Sequence, residues 1–551
     1  MPHRTLVAVP AALCAVLVAA VAVSSATRTF YEDDPLLREP ETQDASGVQE
    51  RAIDLMFDLS LNLFARPGDP AENVRAQNIN TIDELPDSNW FTNRILSRPV
   101  SPEEAARGPL TGSGPAPGPW TVIRDKRAGF APGFTMRDSE GGIWFVSFDA
   151  RGYPEAATGA VLVANKIFWT LGYWQVENHL AAVRPENIVV DASATIRPPS
   201  GVRRQMTRGD VEDVLERAHR SADGSYRAIA SRAVPGRPVD GFFYHGTRSD
   251  DPNDLVHHEH RRELRALKVF GAWTNLVDMK AGNTLDSVIV ENGRSVVRHY
   301  LQDVGSTFGS GANGLREFDE GWEYLFEGRP ALRRLASFGF ALSRWQTLDY
   351  ERHDSIGRFE GDAFDPMAWK PRVPTAAFLR ARPDDTFWAA RRVMAFSDEM
   401  IRAVVATGQY SDPAAARHLG DVLIKRRDAI GRAYLPAINP IIDPALDGAG
   451  VVTFRNAAVD AGVEAAPAGY TAAWFAFDNA TGESRPLTTT SGPTTRLAAP
   501  SSLSGVQTGF VRVDLGATGA PRSSWERPVQ AYFRRETGGW RLVGFERLPD
   551  P

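Results

Sequence analysis

Cysteine is nearly absent from these 551 residues, and the single one, Cys14, lies within an apolar run near the start. Residues 27–551 therefore form no disulfide, and a packed core has to hold them together. Leu13 precedes Cys14 where lipid attachment wants a small residue, which argues against an acyl anchor. Strong charge of either sign is missing too. The formal net charge is −6, with acidic and basic residues interleaved, so neither nucleic acid nor an anionic membrane surface is implied as a partner. The chain has no internal repeat and no long low-complexity run. It also lacks G-x-S-x-G, zinc-binding signatures and a paired-carboxylate pattern, which puts an exported hydrolase or a structural envelope protein last among the functional classes. One long apolar run exists, residues 6–23, preceded by Arg4 and followed by Ser24-Ser25-Ala26. That order predicts a signal peptide over 1–26; the alternative is an uncleaved anchor, because the run approaches bilayer-spanning length. Either way the rest of the chain is expected to be exported, periplasmic or extracellular, and to meet membrane only through that segment if it stays attached.

The length asks for two or three domains. Residues 27–118 read as an extension, with one amphipathic helix over 49–64 that needs a partner surface and a strap over 78–94 carrying Trp90 and Phe91. After the Gly/Pro-rich linker 112–119 come three strand patterns within 120–148, a buried helix that Thr158 caps and Gly172 ends, and further strands over 176–190. Residues 201–445 open with a helix over 207–219 and strand-like runs at 226–230 and 241–245, and continue as helical patterns broken by prolines, including 386–404 and 412–434. Residues 446–551 alternate apolar and polar positions between turn signals, the pattern of a β-sandwich-like domain. The fold class is α+β, with domains at 1–26, 27–118, 119–200, 201–445 and 446–551.

The stretch 264–311 organises the rest. Leu264, Leu267, Phe270 and Trp273 give a helix a broad apolar face. It leads into Asp278, Lys280 and Asn283, then into strands 287–291 and 295–301 around Asn292-Gly293, a two-residue hairpin signal. The second strand delivers Asp303-Val304-Gly305 back beside Asn283. This order suits metal-assisted phosphoryl transfer: a carboxylate for the attacking hydroxyl, a lysine for the transferred phosphoryl, and an Asn and a second Asp for the metal. In a kinase-like lobe, which this order resembles, the loop bearing Gly129 and Gly133 would cover the phosphates, its glycines letting backbone N–H groups approach them. His257, His258 and His260 lack an i, i+4 pairing and a downstream ligand, and read as surface polar residues opening the helix.

The stretches FYEDDPLLREPETQDAS, VRAQNINTIDELPDSNWFTNRI, SFDARGYPEAATGA, YHGTRSDDPNDLVHHEHRRELRALKVFGAW and RHYLQDVGSTFGSG resemble a group of exported bacterial proteins whose middle is similar to HipA-like and CotH-like kinases. The resemblance implies a two-lobed protein-kinase-like domain, with small lobe 119–200 and large lobe 201–445. It makes Asp278 the catalytic carboxylate, Lys280 the phosphate-facing lysine, and Asn283 and Asp303 the ligands of Mg²⁺ accompanying ATP. The chain departs from the pattern where a strand lysine and a helix glutamate should clamp the nucleotide, for Ser147 and Val161 stand there. Lys126 or Lys166 is available as a substitute. The function expected is a kinase-like phosphotransferase using Mg-nucleotide on an unidentified protein or small-molecule acceptor. The alternative is a non-catalytic pseudokinase-type scaffold of the cell envelope.

Overall fold

The computed structural model describes residues 28–126, 131–198, 201–316 and 319–548. The expected signal segment falls outside them, as does Gly129. Among the described residues no helix is long and apolar enough to cross a membrane. The fold is mixed α+β around one large sheet.

The N-terminal extension carries only two short helices, α1 (Leu55–Ser60) and α2 (Pro102–Arg107). The helix expected over 49–64 is cut to α1 and one wider turn, Leu61–Ala65, that ends at Arg66 with φ 48°. Next come β1 (Trp120–Asp125), β2 (Gly133–Arg137), β3 (Ile143–Phe148), α3 (Ala156–Leu171), β4 (Asn178–Val183), β5 (Ile188–Ile196), β6 (Arg204–Gln205), α4 (Arg208–Glu216) and β7 (Tyr226–Arg232). These strands form one sheet in the order β4-β7-β3-β2-β1-β5-β6. The sheet thus runs past residue 200, where the first lobe was expected to end, because β7 returns to pair with both β3 and β4. One face closes on α4 through Val122, Met136, Val146, Val211 and Leu215. Helix α3 packs beside β3, β4 and β7 and joins the main core through Val163, Ile167 and Phe168. Its N-cap is Glu155 rather than Thr158, whose backbone N–H and hydroxyl both donate to buried Asp149.

The second part holds β8 (Arg237–Pro238), α5 (Arg262–Thr274), the hairpin β9 (Leu285–Glu291) and β10 (Arg294–Tyr300), and the small pair β11 (Ser310–Gly311) and β12 (Gly314–Leu315). It continues with α6 (Gly328–Ala336), α7 (Arg344–Thr347), α8 (Ala376–Arg380), α9 (Pro383–Met394), α10 (Asp398–Ala406) and α11 (Pro413–Tyr434). Residues 241–245 are not a strand; Phe242 and Tyr244 are buried in an irregular segment instead. The helix expected over 386–404 is two, because Ser397, accepting from Met400 N–H, caps a new helix that starts at Asp398. Helix α5 is the hub. Leu264, Leu267, Phe270 and Trp273 are all buried, each worth roughly 1.5–3 kcal/mol relative to exposure.

The start of α5 is ionic. Arg262 pairs with Asp83 at 2.9 Å and Asp385 at 3.1 Å, and Arg265 with Asp385 at 3.1 Å. Strap 78–94 therefore binds α5 and α9 through buried charge, and Arg547, just after the last strand, stands 3.7 Å from Asp83. His258 and His260, expected at the surface, are buried: His258 faces Asp254 at 2.8 Å and His260 faces Asp69 at 3.0 Å. Each ring has its own carboxylate, which is how buried imidazoles are satisfied.

The chain ends in β13 (Ile441–Leu446), β14 (Val451–Asn456), α12 (Ala457–Asp460), β15 (Gly469–Phe477), β16 (Ser484–Gly492), β17 (Arg496–Ala498), β18 (Phe510–Thr518), β19 (Val529–Glu536) and β20 (Gly539–Glu546). They make two antiparallel sheets, β13-β14-β17 and β16-β15-β18-β19-β20. The boundary expected at 445/446 falls inside β13. Trp474, Val513 and Phe533 of these sheets, and Trp525 between β18 and β19, join the same apolar core as α5 and α11.

Candidate active site

Helix α5 stops because Asn275 takes φ 56°, which throws the chain into an extended loop at Leu276. That loop lies against the one that follows β10. Val277 N–H donates to Ser306 O at 3.2 Å, Asp303 N–H to Asn283 O at 3.0 Å, and Phe308 N–H to Thr274 O at 3.0 Å. Hairpin β9–β10 is pinned at its turn by Asn292 and Gly293, both at positive φ, so its register fixes where Asp303 emerges.

Within this pair of loops Asn283 donates from Nδ2 to Asp278 O at 2.7 Å, which leaves its amide oxygen as the atom a cation would take. Lys280 Nζ donates to Asp278 Oδ2 at 2.7 Å, and both side chains are partly open to solvent. Asp303 Oδ1 accepts from Gly305 N–H at 2.9 Å on an exposed loop. Asn283 and Asp303 offer hard oxygen donors, the chemistry that suits Mg²⁺ or Mn²⁺ beside phosphates.

The sheet and α3 face the same loops. Lys126, just after β1, donates from Nζ to Ser147 Oγ on β3 at 3.0 Å. Burial pushes its ammonium below the ordinary lysine range, and the neighbouring Asp303 carboxylate partly restores it. A lysine amine therefore stands at the strand position where the sequence has serine. Gly133 makes this possible. A β-carbon there would lie 2.2 Å from the Val146 carbonyl oxygen and 3.3 Å from the Lys126 stem. Val161 of α3 packs on Gly305, where an added β-carbon would meet its Cγ2 at 2.8 Å. The apolar residue standing for the expected glutamate thus touches the Asp303 loop. Lys166 is elsewhere: its stem lies over Gly108, its Nζ donates to Leu162 O at 3.4 Å, and burial lowers it to about 8.

So Asp278, Lys280, Asn283, Asp303 and Gly133 share one region, and Gly129 lies outside the described residues. Three neighbours carried no site signal in the sequence. Asp58 of α1 accepts from Ala281 N–H at 3.3 Å and from Asn62 Nδ2 at 2.8 Å, and burial raises its carboxyl. Leu55 lies over Gly282, where a β-carbon would be 2.4 Å from it. The N-terminal extension therefore finds its partner surface on the Asp278 loop itself. Tyr244 is fully enclosed near Asp58 and Asp278, and its hydroxyl has no hydrogen-bond partner among the described residues. Burial first, and those two carboxylates second, hold it well above the usual tyrosine range.

Among solved structures, the chain is similar to a crystal structure of the Golgi casein kinase with Mn/ADP bound. The identity is 9% and the TM-score 0.30, over 57% of this chain and 72% of that one. It is also similar to another crystal structure of the Golgi casein kinase, at 10% identity and TM-score 0.30, over 72% of this chain and 94% of that one. No protein-family model matches the chain. No curated protein sequence matches it.

Proposed function

We propose that this chain is an exported kinase-like phosphotransferase that takes the γ-phosphoryl group of ATP. The observation that carries this reading is Lys126, whose amine reaches β3 at Ser147 beside Asp303. It supplies from the loop the phosphate-facing cation that the strand itself lacks. Its support comes from the shared hydroxyl of Ser147 instead of a glutamate, since Val161 offers no charge.

In this reading Asp278 accepts the proton of the acceptor hydroxyl as that oxygen bonds to the γ-phosphorus. The bond from phosphorus to the β,γ-bridging oxygen breaks and ADP leaves. Lys280, hydrogen-bonded to Asp278 before substrate arrives, is placed to offset charge on the transferred phosphoryl. Asn283 Oδ1 and the Asp303 carboxylate would hold Mg²⁺, which supplies charge neutralisation on the phosphates when bound. The C-terminal sheets, a sandwich-like domain in this reading, lie outside this chemistry and serve docking or binding.

One observation favours a second reading, a pseudokinase-type scaffold. Val161 closes on Gly305 where a carboxylate would have oriented the lysine. The test is Mg-dependent ATP turnover and nucleotide binding by the purified chain. Asp303→Ala is expected to lose both, whereas Asp278→Asn keeps binding and loses turnover, because a proton acceptor acts mainly in the transition state. Absence of nucleotide binding in the wild type would hand the protein to the scaffold reading.

A further inference from the structure

Away from that site, three side chains converge on one point between the segment after α7 and helix α11. Glu351 Oε1 lies 3.0 Å from His353 Nε2, and Glu351 Oε2 lies 3.2 Å from His418 Nδ1. The ligand-type atoms of the three residues all fall within 4.8 Å of one another. Both imidazoles are nearly enclosed, with 8% and 10% of their side chains exposed, and the rings stand 5.0 Å apart. Glu351 is open to solvent.

The outward nitrogens are held as well. His353 Nδ1 faces Asp412 Oδ2 at 3.3 Å, and His418 Nε2 faces the Phe359 carbonyl oxygen at 3.2 Å. Asp412 is itself fixed, because its Oδ1 accepts from Ala414 N–H at 2.8 Å as the N-cap of α11. Four ring nitrogens therefore face four oxygens. A neutral imidazole carries one N–H, so two neutral rings satisfy only two of these contacts and aim two lone pairs at oxygen. Two of the four contacts therefore lack a proton. If Asp412 and Phe359 take the outer N–H groups, the two free lone pairs, His353 Nε2 and His418 Nδ1, point to the same carboxylate. Two imidazole nitrogens and a carboxylate, with the outer nitrogens oriented by a carboxylate and a carbonyl, form the donor set and supporting shell of a zinc-type ion.

We infer that Glu351, His353 and His418 bind one borderline divalent transition ion of the Zn²⁺ class, with the remaining position open to solvent. Such an ion would staple residues 351–353 to α11. Phe359, whose carbonyl orients His418, packs edge-on at 5.3 Å to Phe308, which follows the Asp303 loop. The staple would thereby hold a support of that loop. The inference does not rest on nucleotide binding, so the two stand or fall separately.

The test uses the full chain stripped with chelator and titrated with Zn²⁺ by calorimetry, and with Co²⁺ followed by its visible absorption. One site is expected, with proton release that grows as pH falls toward the imidazole range. His418→Ala and the exposed Glu351→Gln should each abolish it or weaken it at least tenfold; Glu351→Gln leaves the core untouched and covers the case in which the histidine variant fails to fold. Asp412→Asn keeps the helix cap and should weaken Zn²⁺ binding by roughly 10- to 100-fold through loss of the supporting carboxylate. Absence of Zn²⁺ and Co²⁺ binding in the wild type would overturn the inference. So would binding that Glu351→Gln and His418→Ala leave unchanged, since the metal would then sit on other histidines.

Discussion

Replacing Lys126 by methionine separates phosphate recognition from folding. Methionine keeps the length and volume of the stem that passes Gly133, and it removes the amine that donates to Ser147 Oγ at 3.0 Å. If that amine is the phosphate clamp, the variant loses a charge-assisted contact of about 1.5–3 kcal/mol. Mg-ATP should then bind roughly ten- to a hundredfold more weakly. Stability should move the other way or not at all. Burial lowers the Lys126 pKa, so the folded state holds its proton less firmly than the unfolded chain does. For a basic group lowered in this way the destabilisation is present below the folded pKa and fades as pH rises to the unfolded one. Near neutrality Lys126→Met should therefore melt at or above the wild-type temperature while binding nucleotide poorly. Calorimetric titration with Mg-ATP beside thermal melts reads both. Adding Ser147→Lys to Lys126→Met puts an amine back on β3 and should recover most of the lost affinity. Equal Mg-ATP affinity in wild type and Lys126→Met would refute the assignment, and a variant that loses affinity only because it unfolds would refute the stability argument.

Three further outcomes are expected. Ser147→Ala removes only the hydroxyl that steadies the amine, so Mg-ATP affinity should fall by roughly three- to tenfold, matching about 0.5–1.5 kcal/mol for one hydrogen bond. Lys166→Met should stabilise the fold by roughly 3 kcal/mol at pH 7, since burial brings Lys166 from the ordinary range to about 8; wild-type stability should rise between about pH 8 and 10, closing the gap, and a denaturation series showing no such pH trend would contradict it. Arg262→Met leaves Asp385 with Arg265 alone and weakens the hold on Asp83, so it should cost about 3 kcal/mol in urea unfolding.

Much of the middle of the chain was legible because its signals are local. The apolar spacing of Leu264, Leu267, Phe270 and Trp273 marked α5, and Asn292-Gly293 marked the hairpin whose register carries Asp303 back to Asn283. Thr207 and Asp412 marked the starts of α4 and α11. The failures are non-local. Nothing near Tyr226–Arg232 says that it slots between β3 and β4, since pairing partners are decided by the sheet. His258 and His260 read as surface residues because Asp69, which faces His260, and Trp90, whose ring packs on His258, come from a distant segment, although Asp254 lies only four residues before His258. The helix over 49–64 was read too long because its apolar spacing continues through a turn that the chain uses to leave the loop at Gly282; Met56, Phe57 and Phe64 stay exposed. Lys126 could be named from sequence as a substitute for the strand lysine, but its choice over Lys166 needed the fold.

Lys126, Asn283 and Asp303 are proposed to form one nucleotide and metal site. Its most direct test is a crystal structure of the full chain with Mn²⁺ and a non-hydrolysable ATP analogue, with Mn²⁺ located by anomalous scattering. An anomalous peak is expected between Asn283 Oδ1 and the Asp303 carboxylate, with Lys126 Nζ on a phosphate oxygen. An analogue bound elsewhere, or Mn²⁺ found away from Asp303 while nucleotide fills another cleft, would contradict it.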